Sequence, residues 1–165
     1  MQYLDARFKV VPGVLSMSNT TTTTSSTTAA TVKGSTLNLK PGFAGDGFGL
    51  RYKIAGTKSA ANGTLAIKLY VGATAVLTLT SASTSSDVDW MADMTLFFVN
   101  ESSQKVCGFM MHLGLAPKVD YATGTVNCTS GVPVYLTATC SDSRDTVTVD
   151  MVELRGWVFE PTATA

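Results

Sequence analysis

Between Leu37 and Phe159 large apolar side chains recur at every second position, over one short run after another. Phe48, Leu50, Tyr52 and Ile54 share one parity, as do Leu65, Ile67, Leu69 and Val71. Such alternation puts one side of an extended chain in a core and the other towards water, and it fits no amphipathic helix. The window from Val88 to Met94 has room for one helical turn at most. Gly, Ser, Asn and Asp clusters separate the runs: Gly56 to Gly63 ending in Asn-Gly, Gly72 to Thr74, Ser81 to Ser86, Glu101 to Gln104 and Ser141 to Asp145. Eight or nine short strands at this spacing predict an all-β, antiparallel sandwich of jelly-roll type.

Further strands are read over Ala75–Thr80, Asp89–Asn100, Lys105–Leu115, Gly124–Cys128, Val132–Cys140 and Asp145–Phe159. The runs from Asp89 and Lys105 form an antiparallel hairpin, with Cys107, Phe109, Met111 and Leu113 on one face. In the last run Val147, Val149 and Met151 alternate one way, and Val152, Leu154 and Val158 the other. That switch predicts a β-bulge or a change of packing face.

Residues 1–36 differ from the rest. Thr20 to Thr28 reads TTTTTSSTT, part of a total of 25 Thr and 15 Ser in 165 residues. A hydroxyl tract has no apolar period to bury, so residues 1–36 read as an extended arm and 37–165 as the sandwich domain. The tract is preceded by Tyr3, Leu4, Phe8, Val10, Val11 and Leu15. An apolar patch ahead of a tether is a candidate partner-binding segment. A first strand that simply pairs with the body is the other reading. Pro41 to Gly49, with four glycines, reads as a flexible turn between the two parts.

Chemistry is sparse. His112 is the single histidine and falls opposite Phe109 and Met111, a strand-surface position by pattern. One imidazole supplies neither a histidine metal cluster nor, without a Gly-x-Ser-x-Gly elbow, a serine hydrolase site. Asp87, Asp89 and Asp93 around Trp90 suit Ca²⁺ or a sugar in principle, but lack the glycine and bidentate Glu of an EF-hand; a solvated loop beside a core Trp is the expectation. The sequence therefore predicts no catalytic residues, no cofactor and no metal: not an enzyme. Lys plus Arg and Asp plus Glu are both 12, for zero net charge, which argues against nucleic acid as a partner. No run is apolar enough for a membrane span, and the first nine residues do not form a secretory signal. Cys107, Cys128 and Cys140 are odd in number and widely spaced, which fits free thiols packed in strands, Cys107 and Cys140 among them, and synthesis in a reducing cytoplasm; a Cys128–Cys140 bridge is the alternative.

The segment from Gly131 to Leu154 resembles the closing strand pair of jelly-roll structural proteins of tailed bacteriophages, with Leu136, Thr137, Ala138, Thr146, Val147, Thr148 and Glu153 in the matching places. Gly63 to Gly72 is similar to an earlier strand of the same group, so the resemblance spans about residues 48–159. It implies a virion part: a capsid decoration (cement) protein, often a homotrimer, bound to the outside of the major capsid protein shell. The alternative it implies is a fibre or tail-tip module binding a receptor or glycan through Trp90, Tyr121 or the Asp87–Asp93 segment.

Overall fold

A computed structural model describes residues 13–18, 22–24, 27–45, 47–59 and 62–158. Twelve strands make up the described chain, with no helix among them. Four are short: β1 (Gly13–Ser18), β2 (Thr22–Thr24), β3 (Ala30–Thr31) and β4 (Leu37–Leu39). Eight longer ones follow: β5 (Phe48–Lys58), β6 (Leu65–Val71), β7 (Thr74–Thr80), β8 (Val88–Asn100), β9 (Ser103–His112), β10 (Lys118–Gly124), β11 (Val132–Cys140) and β12 (Val147–Val158).

These form two antiparallel sheets. The larger runs β1-β12-β5-β8-β9-β10, with β2 also on β12; the smaller runs β3-β11-β6-β7, with β4 also on β11. The β5–β6 stretch is matched against β11–β12: β5 pairs with β12 in one sheet and β6 with β11 in the other. A two-strand ribbon folded across both layers in this way is the jelly-roll principle, and the fold is the antiparallel sandwich that the alternation predicts. Leu50, Ile54, Met94, Leu96, Val106, Met110, Val152 and Leu154 from the larger sheet face Leu65, Ile67, Leu69, Leu79, Val134 and Leu136 from the smaller. Fully burying each such side chain stabilises the fold by about 1.5–3 kcal/mol before entropy is counted. Tyr52 ties the layers together, its hydroxyl donating to the Val134 carbonyl at 3.4 Å, and burial pushes its phenol pKa up.

The parity switch in β12 is a bulge: its register against β5 shifts between Val149 and Met151, so Val147 and Val149 point inward before it and Val152 and Leu154 after it. The β8–β9 hairpin also forms as the pattern predicts.

Three local readings change. Gly56 to Lys58 continues β5 instead of opening a loop. The strand read at Gly124–Cys128 lies one element earlier, at Lys118–Gly124, where Val119 and Tyr121 both point outward and so leave no core face for periodicity to detect. Val126 and Cys128 instead sit in a connection held by Gln104, whose amide donates to the Val126 carbonyl at 2.8 Å and accepts from its N–H at 3.0 Å. Finally, Pro41 to Gly49 does not hang free. Ala44 is fully buried, and Phe43 packs edge-on against Phe48 at 4.9 Å, which in turn stacks on Phe98 at 5.8 Å.

The described part of the 1–36 segment lies on the body. β1 pairs with Val152–Gly156 and β2 with Val147–Val149, so two short strands cover one edge of β12. The chain then crosses to the other sheet, where β3 and β4 cover β11 in the same way. Unpaired strand edges invite pairing with other chains, and these two are blunted by the protein's own leading segment. A boundary at 36/37 would cut through buried contacts: the Val32 N–H donates to the Leu136 carbonyl at 2.9 Å, and the Ser35 hydroxyl accepts from the Leu136 N–H at 3.0 Å. Of the candidate partner-binding residues, Tyr3, Leu4, Phe8, Val10 and Val11 lie outside the described residues, and Leu15 falls at the irregularity where β1 changes register on β12.

Candidate functional site

The cross-strand register sets which side chains stand together on the outer face of the larger sheet. Met91 pairs with Met111, Phe109 with Val119 and Cys107 with Tyr121, and each pair points the same way. In β9 the inward positions are Gln104, Val106, Met110 and His112, so the Cys107–Phe109–Met111–Leu113 face is the outer one. This inverts the sequence reading of His112 as a surface residue and of Cys107 as a packed thiol: His112 is buried and Cys107 exposed. Both parities of β9 are apolar, so alternation alone does not say which one meets the opposite sheet.

The result is an apolar patch on β8, β9 and β10. Val119 is 71% exposed, Tyr121 60% and Leu113 74%, with Met91 and Met111 beside them. At its top Gly114, at φ 80°, turns the chain so that the Leu115 N–H reaches the His112 carbonyl at 3.1 Å. Below this turn a shallow groove of about 400 Å³ is lined by Asp89, Trp90, Met91, Met111, Leu113 and Leu115, among others. Contiguous exposed apolar surface of this kind marks an interaction site.

The other half of the same face is polar and closed. Arg51 Nε donates to Asp93 at 2.8 Å, raising the guanidinium's pKa, and Arg155 pairs with Glu153. Trp157 lies flat across Gly49, where a β-carbon would stand 2.3 Å from the indole. A bare glycine covered by a cross-strand aromatic is a known way to stabilise a sheet.

The aspartates are not one loop. Asp87 precedes β8, while Asp89 and Asp93 lie within it, and Asp93 is buried against Arg51. Among the described residues no group of three or more His, Cys, Asp or Glu is placed to hold a metal ion. Trp90 is only 3% exposed, as expected of a core anchor, which removes it from any sugar platform and leaves Tyr121 as the exposed ring of that set. Neither ring nitrogen of His112 meets a hydrogen-bond partner among the described residues; burial, helped by the nearby charge of Lys58, lowers its pKa.

Cys128 and Cys140 are buried thiols, and neither is in a disulfide. Burial raises both pKa values, aided by the charge of Glu101 at the first and of Asp145 at the second. A thiol reagent is therefore expected to modify one cysteine per native chain, Cys107, and all three in denaturant. A denatured count of one would instead reveal a Cys128–Cys140 bridge.

The sequence reading missed one arrangement. Lys58 sits on the inward parity of β5, in line with Phe48, Leu50, Tyr52 and Ile54, and its Nζ lies 3.0 Å from Asp145 Oδ2 with both side chains 0% exposed. A lysine that continues an apolar parity is a signal, but its partner stands in the Ser141–Asp145 turn, which sequence alone does not bring near.

No family model matches the chain, and no curated protein matches it. Among solved structures, a lectin from Bauhinia forficata in complex with GalNAc aligns at 8% identity and TM-score 0.45, over 91% of this chain and 100% of that one. A Lotus tetragonolobus seed lectin aligns at 7% identity and TM-score 0.41, over 81% and 82%. The CBM2 module of the evolved Dit of Lactobacillus casei BL23 phage J-1 aligns at 8% identity and TM-score 0.37, over 76% and 69%. At such scores these likenesses carry no functional argument.

Proposed function

We propose that this chain is a non-enzymatic virion structural protein, a decoration (cement) protein that docks on the outside of the major capsid protein shell. The observation that carries the reading is the exposed apolar patch on β8, β9 and β10, bordered by the Arg51–Asp93 and Arg155–Glu153 ion pairs. An apolar centre with a polar border is how protein interfaces are built. The near absence of net charge suits close packing of many copies, a homotrimer included, without mutual repulsion. The apolar residues Tyr3, Leu4, Phe8, Val10, Val11 and Leu15 extend the contact in this reading. Docking bridges neighbouring capsomers by burying apolar area, with no covalent step to the shell.

Val119→Asp combined with Tyr121→Asp tests the proposal, since both positions are exposed and the fold does not depend on them. Removing an interface centre typically costs 2 kcal/mol or more, so binding to capsids lacking the native protein is expected to weaken by about 30-fold or more. Wild-type affinity in a variant with unchanged circular dichroism would place the contact elsewhere. A fibre or tail-tip glycan-binding module is the second reading, supported by the outward ring of Tyr121. Hundreds of copies per purified particle support decoration, and a handful support a tip.

A further inference from the structure

Lys58 ends β5 and Asp145 immediately precedes β12's partner region, so the two lie at the junction of the first and last long strands. Their neighbours lock them in place. The Ser59 N–H donates to the Thr146 carbonyl at 2.8 Å, and the Thr146 N–H donates back to the Ser59 hydroxyl at 2.7 Å, although 87 residues separate the two. This clamp holds Lys58 Nζ 3.0 Å from Asp145 Oδ2, so the amine is fixed against the carboxyl group.

The pair is not built as a compensated ion pair. Nζ donates to the Ser59 carbonyl at 3.0 Å, while neither carboxylate oxygen of Asp145 accepts an aligned hydrogen bond from a described residue. Gly63 closes over the carboxylate so tightly that a β-carbon there would stand 2.0 Å from Oδ2. Two charges in such a place have lost their hydration without gaining the hydrogen bonds that normally offset it. Burial of both groups without those bonds favours a step that removes the two charges together. A desolvated lysine amine is a nucleophile, and the acid beside it is the electrophile it needs.

We propose that Lys58 and Asp145 condense to an intramolecular isopeptide bond that covalently joins β5 to the start of β12. One ammonium proton passes to the carboxylate. The amine lone pair then attacks Cγ of Asp145, forming the Nζ–Cγ bond. The Cγ–O bond of the protonated oxygen breaks, and that hydroxyl leaves with a second nitrogen proton as water. The third proton stays on the amide nitrogen. Charge and atoms balance with no oxidant, metal or co-reactant, and the product removes both charges from the buried site. The link is independent of the docking face and of what that face binds.

Intact mass of the purified full chain, denatured and reduced, tests it directly. After allowance for the initiator Met, the wild type is expected to fall short of its sequence mass by one water. Tryptic digestion is expected to leave Lys58 uncleaved, in a branched peptide that also holds Asp145. Asp145→Asn, which keeps the shape, is expected to lose ammonia in place of water, while Lys58→Arg and Asp145→Ala are expected to run at their full sequence masses. A wild-type chain at its full sequence mass, or a water loss that maps to any other residue, would overturn the proposal whether or not the variants fold.

Discussion

Lys58→Ala is expected to lower the unfolding free energy by about 3–5 kcal/mol or more, because it removes the link to Asp145 and leaves that buried carboxylate without its partner. The Asp145 carboxylate, at 0% exposure, would keep only Arg144 of the adjoining turn as a nearby cation, and that guanidinium is exposed and already paired with Asp142. For a chain of this size that loss lowers Tm by roughly 10 °C. Lys58→Met separates the causes. It keeps the apolar stem that packs inside the sandwich and removes only the nitrogen, so it is expected to be nearly as damaging as the alanine. Urea midpoints measure both; a Met variant as stable as wild type would show that the stem, and not the tie from Nζ to Asp145, does the stabilising.

Gly56→Ala is expected to be as severe, for a steric reason. A β-carbon at Gly56 would stand 1.8 Å from the Thr148 carbonyl oxygen and 3.0 Å from the Val149 Cα. Both are backbone atoms, and they sit at the β12 bulge, where the strand cannot step aside without losing its register on β5. Destabilisation beyond about 4 kcal/mol, seen as loss of soluble expression or of the cooperative urea transition, is the expected outcome. Gly45, where a β-carbon would meet nothing closer than 3.9 Å, serves as the control: Gly45→Ala is expected to change stability by less than about 1 kcal/mol.

The strands were largely legible because period-two alternation is a local property. Phe48 to Ile54 and Leu65 to Val71 each carry their own instruction, and even the β12 bulge shows as a parity change between Val149 and Val152. The docking patch was legible only in part. Met111 and Leu113 stood out as apolar and sharing a face, but β9 has apolar residues on both parities. β10 escaped notice because its apolar residues, Val119 and Tyr121, point away from the core.

By itself, then, the sequence determined the extended chain, its turns and its two-layer architecture, since alternating burial leaves an extended strand no other solution. The tertiary structure decided what depends on distant partners. It chose Val106, Met110 and His112 over Phe109 and Met111 for the interior, because only that side of β9 meets the opposite sheet. It laid β1 to β4 along the edges of β12 and β11, because unpaired backbone groups there need partners, and short strands such as the Thr22–Thr24 stretch supply them without any apolar period. It also brought Lys58 to Asp145, a meeting no local pattern encodes, because the antiparallel register of β5 and β12 carries the end of one strand to the beginning of the other.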